Sequence, residues 1–309
     1  MPTSNLFGAE SNTFSNIFTY MGLPLSRELC DELDAVVMGV PYDLATTGRS
    51  GTRYGPTAIR QASAQLRWEE KRFPWRFVLG DRLNVQDYGD IDYQEGNSEE
   101  MLSLVQAHAH RIISAGKTLM TLGGDHFISL PLLRAVNQTH GKVALLHFDA
   151  HTDTEATDAK YNHGAMFYHA DKEGLYDPEH SVQVGIRTEY DYDTHSMTVL
   201  DGSWVNNHSV DQVVERINSV IGDRPVYLSF DIDCLDPAFA PGTGTPVAGG
   251  LTSDRALQII RGLGQLNIVG MDLMEVSPAY DHADVTSLAA ATLVLDMLYL
   301  LASRKPDKA

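Results

Sequence analysis

Short apolar runs alternate along this chain with longer stretches in which apolar residues recur every three or four positions. Runs that are apolar throughout are typical of strands covered on both faces, and the periodic stretches are typical of amphipathic helices. The apolar runs predict strands at 35–40, 84–89, 118–124, 143–149, 182–187, 226–233 and 267–276. The periodic stretches predict helices at 55–68, 98–116, 128–137, 209–222, 252–264 and 285–304.

Strands that alternate with helices indicate an α/β fold with a mostly parallel central sheet and helices on both of its faces. The last predicted helix, 285–304, is nearly all apolar around AAATLVLDMLYLL. It is too short and too interrupted to argue for a membrane span, so we expect it in the core or at a subunit contact. Ser209 and Thr252 are expected to cap the starts of their helices, and Gly264 to end one.

Side chains that bind metals or transfer protons follow four of the apolar runs. They are His126, then Asp149, His151 and Asp153, then Asp231 and Asp233, and finally Glu275. Alternate residues of a strand face the same side, so we expect each set to point one way. A buried carboxylate is costly unless it is paired or coordinates a cation. Because open α/β sheets bind ligands beyond the carboxyl ends of their strands, the pattern predicts one metal-binding crevice.

The spacing within HFDAHTD bears on the number of ions. On a straight strand, Asp149 and Asp153 would lie about 13 Å apart. Either the strand ends near Ala150 and the chain bends over the site, or the ligands serve two ions. Cys30 and Cys234 form no zinc-type thiolate set, and Cys234 is interpreted as a core residue. Oxygen-rich ligation with some imidazole favours manganese, with zinc, iron, nickel or cobalt as alternatives.

Net charge indicates which kind of partner the protein binds, and cysteine usage indicates the cellular compartment. Acidic residues outnumber basic ones by 41 to 23, for a net charge of −18, which argues against general nucleic-acid binding. The charge agrees with a small cationic substrate, although acidic surfaces often serve solubility alone. Two cysteines outside any CxxC pattern suit a reducing compartment. The N-terminus has no basic segment followed by an apolar run, so we expect no signal peptide, no membrane span and a cytoplasmic location.

Six motifs together resemble the ureohydrolases, the family of arginases and agmatinases. They are GGDH (123–126), HFDAHTDT (147–154), HGAMF (163–167), SFDIDCLDPAFAPGTGTP (230–246), GRSGTRYGPTAIR (48–60) and MDLMEVSPAYD (271–281). The resemblance runs from about residue 35 to 300 and is strongest to bacterial agmatinases. It implies a single ureohydrolase domain over residues 1–309, with an N-terminal extension over about residues 1–33.

This resemblance implies a three-layer α/β/α sandwich of the arginase and deacetylase type, with two Mn²⁺ ions per subunit. It assigns one ion to His126, Asp149, Asp153 and Asp231. It assigns the other to Asp149, His151, Asp231 and Asp233, so that Asp149 and Asp231 bridge. His163 matches the family's catalytic histidine, and Glu275 matches the acid that holds the substrate guanidinium. A histidine with a pKa near neutrality suits protonation of a leaving amine. His169, His180 and His195 are interpreted as surface residues.

The implied reaction is the hydrolysis of agmatine to putrescine and urea, a step of polyamine biosynthesis. The short segment TEATDAKYN between Asp153 and His163 argues against arginine, and 4-guanidinobutyrate is the alternative substrate. Ala165 stands where agmatinases usually have threonine. The surrounding loops offer both Asp158 and Arg49 or Arg53 to the far end of the substrate, and the sequence leaves that choice open.

Other classes of protein are also considered. A non-catalytic scaffold is expected to lack some of these ligands, and a deacetylase of the related fold is expected to use a single zinc and a tyrosine. Family members assemble as homo-trimers or homo-hexamers, and the apolar last helix permits such an assembly.

Overall fold

The computed structural model describes residues 18–307, and a single eight-stranded sheet lies at the centre of this part of the chain. In chain order the strands are β1 Ala35–Gly39, β2 Val85–Asp90, β3 Thr118–Leu122, β4 Ala144–Phe148, β5 Val182–Val184, β6 Thr198–Leu200, β7 Pro225–Asp231 and β8 Asn267–Met274. Across the sheet their order is β2-β1-β3-β8-β7-β4-β5-β6. Every neighbouring pair is parallel, which confirms the prediction of a mostly parallel sheet.

Helices cover both faces of this sheet. The helices are α1 Gly55–Ser63, α2 Leu79–Arg82, α3 Ser98–Ser114, α4 Ser129–His140, α5 Met166–Lys172, α6 Gly202–Asn207, α7 Val210–Ile221, α8 Ser253–Gly262 and α9 Val285–Ser303. Val37 packs in one apolar cluster with residues of α1, α7, α8 and α9, whereas Val36 packs in a second cluster with residues of α3, α4 and α5. Neighbouring strand residues therefore face different helical layers, and the three-layer α/β/α arrangement is confirmed.

The last helix is part of the core. Val285–Ser303 is long and apolar enough to cross a membrane, but 78% of its most apolar window is buried inside the protein. It packs against α1 and α8, and its buried Asp296 accepts hydrogen bonds from Trp75 Nε1 at 2.9 Å and Arg261 Nε at 2.7 Å. The expectation of a buried helix is therefore confirmed.

Several element boundaries differ from the predicted ones. Ser209 and Thr252 cap α7 and α8 as expected, but α8 ends at Gly262 with Leu263 in the capping position, rather than at Gly264. The predicted helix at 55–68 changes into a 3-10 helix after Ser63. Strand β6 and helices α2, α5 and α6 were not predicted. Each is short, so its periodicity is too weak to stand out.

The start of the described chain is tied to the sheet. Residues 1–17 lie outside the described residues. They include most of the predicted N-terminal extension and of the segment for which no signal peptide is expected.

Tyr20 connects the start of the described chain to the sheet and to α9. Its backbone N–H donates to Asp87 Oδ2 at 2.7 Å, and its side-chain hydroxyl donates to the carbonyl of Ala291 at 2.8 Å. The single domain over residues 1–309 stays a prediction.

Candidate metal centre and active site

The chemistry-bearing residues lie at the carboxyl ends of four adjacent strands, β3, β8, β7 and β4. His126 follows β3, Asp149 follows β4, Asp231 ends β7 and Glu275 follows β8. Parallel strands bring these ends to one edge, so residues far apart in sequence meet there. The predicted convergence on one crevice agrees with this geometry.

The expected alternation of ligands along a strand was wrong for the segment after β4. Strand β4 ends at Phe148, so Asp149, His151 and Asp153 stand on a bend instead of alternating along a strand. Asp153 has φ +53°, a left-handed conformation that turns the chain back. Asp233 lies in the 3-10 turn Ile232–Cys234. Of the two arrangements considered for HFDAHTD, the chain therefore adopts the bend near Ala150.

The first cluster surrounds the imidazole of His126. Its Nδ1 lies 3.2 Å from Asp149 Oδ2, 3.1 Å from Asp153 Oδ2 and 3.1 Å from Asp231 Oδ2. Its Nε2 lies 2.7 Å from Ser229 Oγ, whose hydroxyl donates to Asp272 Oδ1 at 2.7 Å. Because Ser229 donates to the carboxylate, it accepts from Nε2–H. The neutral ring then turns the lone pair of Nδ1 towards the three carboxylate oxygens.

This first cluster needs a positive charge. Burial lowers the pKa of His126, but hydrogen bonds with Asp149, Asp153 and Asp231 outweigh burial and hold the pKa well above its usual value. Either a proton at Nδ1 or a cation between Nδ1 and the oxygens satisfies the four groups. A histidine whose second nitrogen donates to a fixed acceptor is the usual arrangement at a metal ion. The donor set therefore fits a divalent cation.

The second cluster shares one residue with the first. His151 Nδ1 lies 3.2 Å from Asp149 Oδ1 and 3.2 Å from Asp233 Oδ2. The two oxygens of Asp149 therefore face different imidazoles, Oδ2 towards His126 and Oδ1 towards His151. Backbone amides fix these carboxylates, since Ala150 N–H donates to Asp233 Oδ1 at 3.0 Å and His151 N–H donates to Asp149 Oδ1 at 2.6 Å.

The close packing of charged groups shifts the pKa values of these carboxylates in opposite directions. Burial and repulsion from Asp233 and Asp149 raise the pKa of Asp231 well above its usual value. Burial and repulsion from Asp149 raise the pKa of Asp233 to about 6. Burial also opposes ionisation of Asp149, but the surrounding histidines outweigh it and hold its pKa well below the usual range. Cations between these groups would relieve the repulsion.

Glu275 lies beside these clusters in a left-handed conformation, with φ +66°. Its Oε1 accepts from the backbone N–H of His126 at 2.8 Å and lies 2.8 Å from His163 Nδ1. Its Oε2 is buried and has no hydrogen-bond partner among the described residues. A buried carboxylate oxygen without a donor is costly, so this atom suits a cationic group that enters the site.

His163 bridges Glu275 and the loop around Thr47. The backbone N–H of Thr47 donates to His163 Nε2 at 3.0 Å, and Thr47 Oγ1 lies 2.7 Å from the same nitrogen. Burial lowers the pKa of His163, but the hydrogen bond to Glu275 outweighs it and raises the pKa to about 9. The Thr47 amide requires a lone pair at Nε2, so the neutral ring carries its proton at Nδ1, facing Glu275. The raised pKa means that the ring also takes up a second proton readily.

A cavity of about 690 Å³ opens over the clusters and is lined by His151, Asp153, His163 and Asp231. Four exposed residues add further carboxylates to its wall, namely Glu155, Asp171, Glu189 and Asp191. Among the described residues, no lysine or arginine lines the cavity. The cavity is therefore strongly anionic from the clusters to its mouth.

The model of the arginase family matches residues 33–299 of this sequence. The chain belongs to the arginase family. It is 57% identical to agmatinases of Citrobacter koseri and Escherichia coli strain SE11 over 299 residues, which is 96% of this chain and 97% of each relative. A crystal structure of a hypothetical agmatinase from Burkholderia thailandensis has a TM-score of 0.92 and 51% identity, covering 95% of this chain and 93% of its own. Proclavaminate amidino hydrolase from Streptomyces clavuligerus has a TM-score of 0.90 and 38% identity, covering 95% and 100%.

The sequence left open whether Asp158, Arg49 or Arg53 meets the far end of the substrate, and none of the three lines the cavity of this arginase-family chain. Arg49 donates to the carbonyl of Thr243 at 2.8 Å, and Arg53 forms an ion pair with Asp43. Loop side chains carry no periodic signal of their direction, so the sequence could not distinguish Asp158 from its neighbour Glu155.

Two histidines lie at the site without a predicted role there. His195, interpreted as a surface residue, is partly exposed and belongs to the cavity wall. His147 was not singled out, although its ring nitrogen lies close enough to His126, Asp149 and Asp153 to form a metal-type group with them. The signal for His147 was present in HFDAHTD, because it stands two positions before Asp149. Cys234 is buried in the core as expected.

Proposed function

We propose that this protein is an agmatinase, a metal-dependent amidinohydrolase that converts agmatine into putrescine and urea. Full-length identity of 57% to agmatinases supports this function. The observation that carries the choice of substrate is the anionic cavity, whose described lining residues include several carboxylates and no lysine or arginine. Glu275 contacts the cavity-lining His163 at 2.8 Å through Oε1, and its Oε2 has no hydrogen-bond partner among the described residues. Agmatine has a guanidinium at one end of a short alkyl chain and an ammonium at the other, so both ends meet negative charge.

The ligand sets implied by the resemblance are part of this proposal. One ion would be held by His126, Asp149, Asp153 and Asp231, and the other by Asp149, His151, Asp231 and Asp233. The divided oxygens of Asp149, each 3.2 Å from a different imidazole, support its role as a bridge. We propose Mn²⁺ as the ion, since carboxylates outnumber imidazoles in both sets.

Each residue has a distinct task in the proposed reaction. Bound divalent cations lower the pKa of water, which makes a nucleophile for the guanidinium carbon available at neutral pH. Glu275 would hold the planar guanidinium through a charge-assisted contact from Oε2. His163 lies in the cavity wall and its pKa is raised beside Glu275, so its protonated form would donate a proton to the amine as it leaves. Glu275 therefore fixes the substrate and the proton donor through two oxygens of one carboxylate.

We further propose that the enzyme acts in the cytoplasm as a homo-trimer or homo-hexamer. The acidic composition, the free Cys30 and Cys234 and the burial of α9 support a reducing, aqueous compartment. Trp68 and Phe73 have 78% and 76% of their surface exposed in the single chain, which offers apolar area for contacts between subunits. Light scattering at several protein concentrations would test the assembly.

The decisive experiment is urea release from agmatine, 4-guanidinobutyrate and arginine by the Mn²⁺-loaded and the chelated enzyme. We expect Mn²⁺-dependent urea from agmatine, far less from 4-guanidinobutyrate, whose carboxylate would face the anionic wall, and none from arginine. Urea mainly from 4-guanidinobutyrate would contradict the proposed substrate and keep the reaction. Urea from agmatine that survives complete removal of metal would contradict the mechanism.

A further inference from the structure

A row of buried polar side chains crosses the sheet directly below the metal centre. Its members, which we call the polar row, are Gln183 on β5, His147 on β4, Ser229 on β7 and Asp272 on β8. They occupy matching register positions on adjacent strands, and each is completely buried. Four polar side chains in the middle of an apolar sheet are costly unless every one has a structural or chemical task.

One half of the polar row has a clear task. Ser229, held by Asp272, accepts from His126 Nε2 and so fixes the ring that carries Nδ1 towards the proposed ion. In the other half, Gln183 contacts His147, and His147 in turn contacts Asp149. His147 Nε2 lies 2.8 Å from Asp149 Oδ2, the oxygen that faces His126.

Gln183 determines which nitrogen of His147 carries the proton. Its amide Nε2 donates to the carbonyl of Thr152 at 2.7 Å, and a carbonyl can only accept, which fixes the orientation of the amide. The same Nε2 lies 2.9 Å from His147 Nδ1, so Nδ1 accepts. A neutral His147 must then carry its proton at Nε2 and donate it to Asp149 Oδ2.

We propose that His147 is a positioning residue: it donates a hydrogen bond from Nε2 to Asp149 Oδ2, in a tautomer set by Gln183, and holds the shared carboxylate in its bridging orientation. The inference rests on the two-ion centre of the proposed function. It adds a residue that the ligand sets do not contain. Because both ring nitrogens are engaged, His147 has no lone pair left for an ion, despite its closeness to His126, Asp149 and Asp153.

Packing is the competing explanation for this side chain. The ring centroid of His147 lies 4.7 Å from the ring centroid of Phe167 and 5.2 Å from that of His126, and both contacts are edge-to-face. A pair of substitutions separates packing from hydrogen bonding. His147→Phe keeps a planar ring of similar size and removes the donor. His147→Gln removes the ring and keeps an N–H at nearly the position of Nε2.

The experiment measures Mn²⁺ affinity by competition with a chelator, and Mn²⁺ per chain by elemental analysis, without substrate. We expect His147→Phe to bind Mn²⁺ about 10–100-fold more weakly, the usual effect of losing a partner of a metal ligand. His147→Gln should stay close to wild type, with two ions per chain. Thermal unfolding of the metal-free variants checks that both fold.

A double-mutant cycle tests the role of Gln183. Gln183→Met should weaken Mn²⁺ binding in the wild-type background, because Nδ1 loses its donor and the tautomer is no longer fixed. In the His147→Phe background the same change should have almost no further effect, since the chain from Thr152 to Asp149 is already broken. Additive effects would overturn the proposed chain.

Three further results would overturn the inference. Wild-type affinity in His147→Phe together with a poorly folded His147→Gln would mean that the residue only packs. Loss of one ion per chain in both variants would mean that His147 is itself a ligand. Failure of the wild-type protein to bind two Mn²⁺ ions would overturn the metal centre of the proposed function and this inference with it, whereas the other two results leave that centre intact.

Discussion

His163 Nδ1 lies 2.8 Å from Glu275 Oε1, and the contact joins residues that are 112 positions apart. Both side chains are buried, so the proton between them is shielded from water. The second oxygen of Glu275 remains without a donor among the described residues. The proposed proton donor and the proposed guanidinium site therefore share one carboxylate.

Substitution of Glu275 by Gln should separate substrate binding from metal binding. The amide keeps the shape but loses the charge that pairs with the guanidinium, and hydrogen bonds to charged groups are worth about 1.5–3 kcal/mol each. We expect kcat/KM for agmatine to fall by roughly 100-fold or more, with two Mn²⁺ per chain retained. Steady-state kinetics and metal analysis on the same sample would check this, and an unchanged kcat/KM would remove Glu275 from the substrate site.

Removal of the imidazole in His163→Ala should affect turnover. Loss of a positioned acid typically lowers the rate by about 10²–10⁴-fold, so we expect kcat to fall in that range while the protein still binds Mn²⁺. His169→Ala is the matched control, because His169 is a histidine of the same segment that does not line the cavity. Equal kcat values in the two variants would exclude His163 as the proton donor.

The divided oxygens of Asp149 predict an unequal effect of two similar substitutions. Asp149→Asn should lose both Mn²⁺ ions, because one oxygen faces each cluster. Asp153→Asn should lose only one, since Asp153 contacts His126 but not His151. The measurement is Mn²⁺ per chain after gel filtration. One tightly bound ion in Asp149→Asn would contradict its bridging role.

The anionic wall should select the charge at the far end of the substrate. In Glu189→Lys we expect kcat/KM for agmatine to fall by roughly 3–10-fold, because an exposed charge acts through solvent. The ratio of activity on 4-guanidinobutyrate to activity on agmatine should rise. Asp158→Lys makes the same change of charge outside the cavity, and we expect it to leave that ratio near wild type. A similar shift in both variants would assign the effect to net charge.

The buried carboxylates predict opposite pH dependences for the metal-free and the loaded protein. Folding raises the pKa of Asp233 to about 6, above a value near 3.9 in an unfolded chain. The folded metal-free chain therefore binds this proton more tightly, and its stability falls as pH rises from about 4 through about 6. Metal ligands must lose their protons, so Mn²⁺ affinity rises with pH.

The increase in Tm on adding Mn²⁺ should consequently be larger at about pH 7.5 than at about pH 5.5. Scanning calorimetry of the chelated and loaded protein at both pH values measures it. Asp233→Asn also removes a proposed ligand, so it is compared without Mn²⁺, where the fall in stability between about pH 4 and pH 6 should be smaller than in the wild-type protein. An increase that is the same at both pH values in the wild-type protein would contradict the raised pKa of Asp233.

The sequence predicted the sheet and the metal-type residues for different physical reasons. Apolar runs identified most of the described strands, because strands buried on both faces consist largely of apolar residues. β2 was found in the more polar segment NVQDYG (84–89), and β6 was missed. Asp149 and Asp231 were identified by residue type after a buried strand, and that reasoning worked even though the expected alternation along the strand was wrong. The sharp bend at Asp153 follows from tertiary packing, which no local pattern records.

The cavity wall was the part that the sequence did not predict. Asp158 and Glu155 lie on one polar loop, and only the fold determines that Glu155 faces inwards. The same holds for His147, since its partner Gln183 comes from another strand and becomes a neighbour only through the register of β4 with β5.

The position of β8 has a consequence for synthesis of the chain. Of the strands in residues 18–307, this one comes last in sequence, yet it lies between β3 and β7 in the sheet. Until the ribosome has made residues 267–274, the β3 side, which carries His126, has no strand that joins it to the β7 and β4 side, which carries Asp231 and Asp149. A chain that ends before β8 therefore cannot hold His126 against Asp231 and Asp149 through this sheet, and the proposed metal centre can form only after β8 has been made.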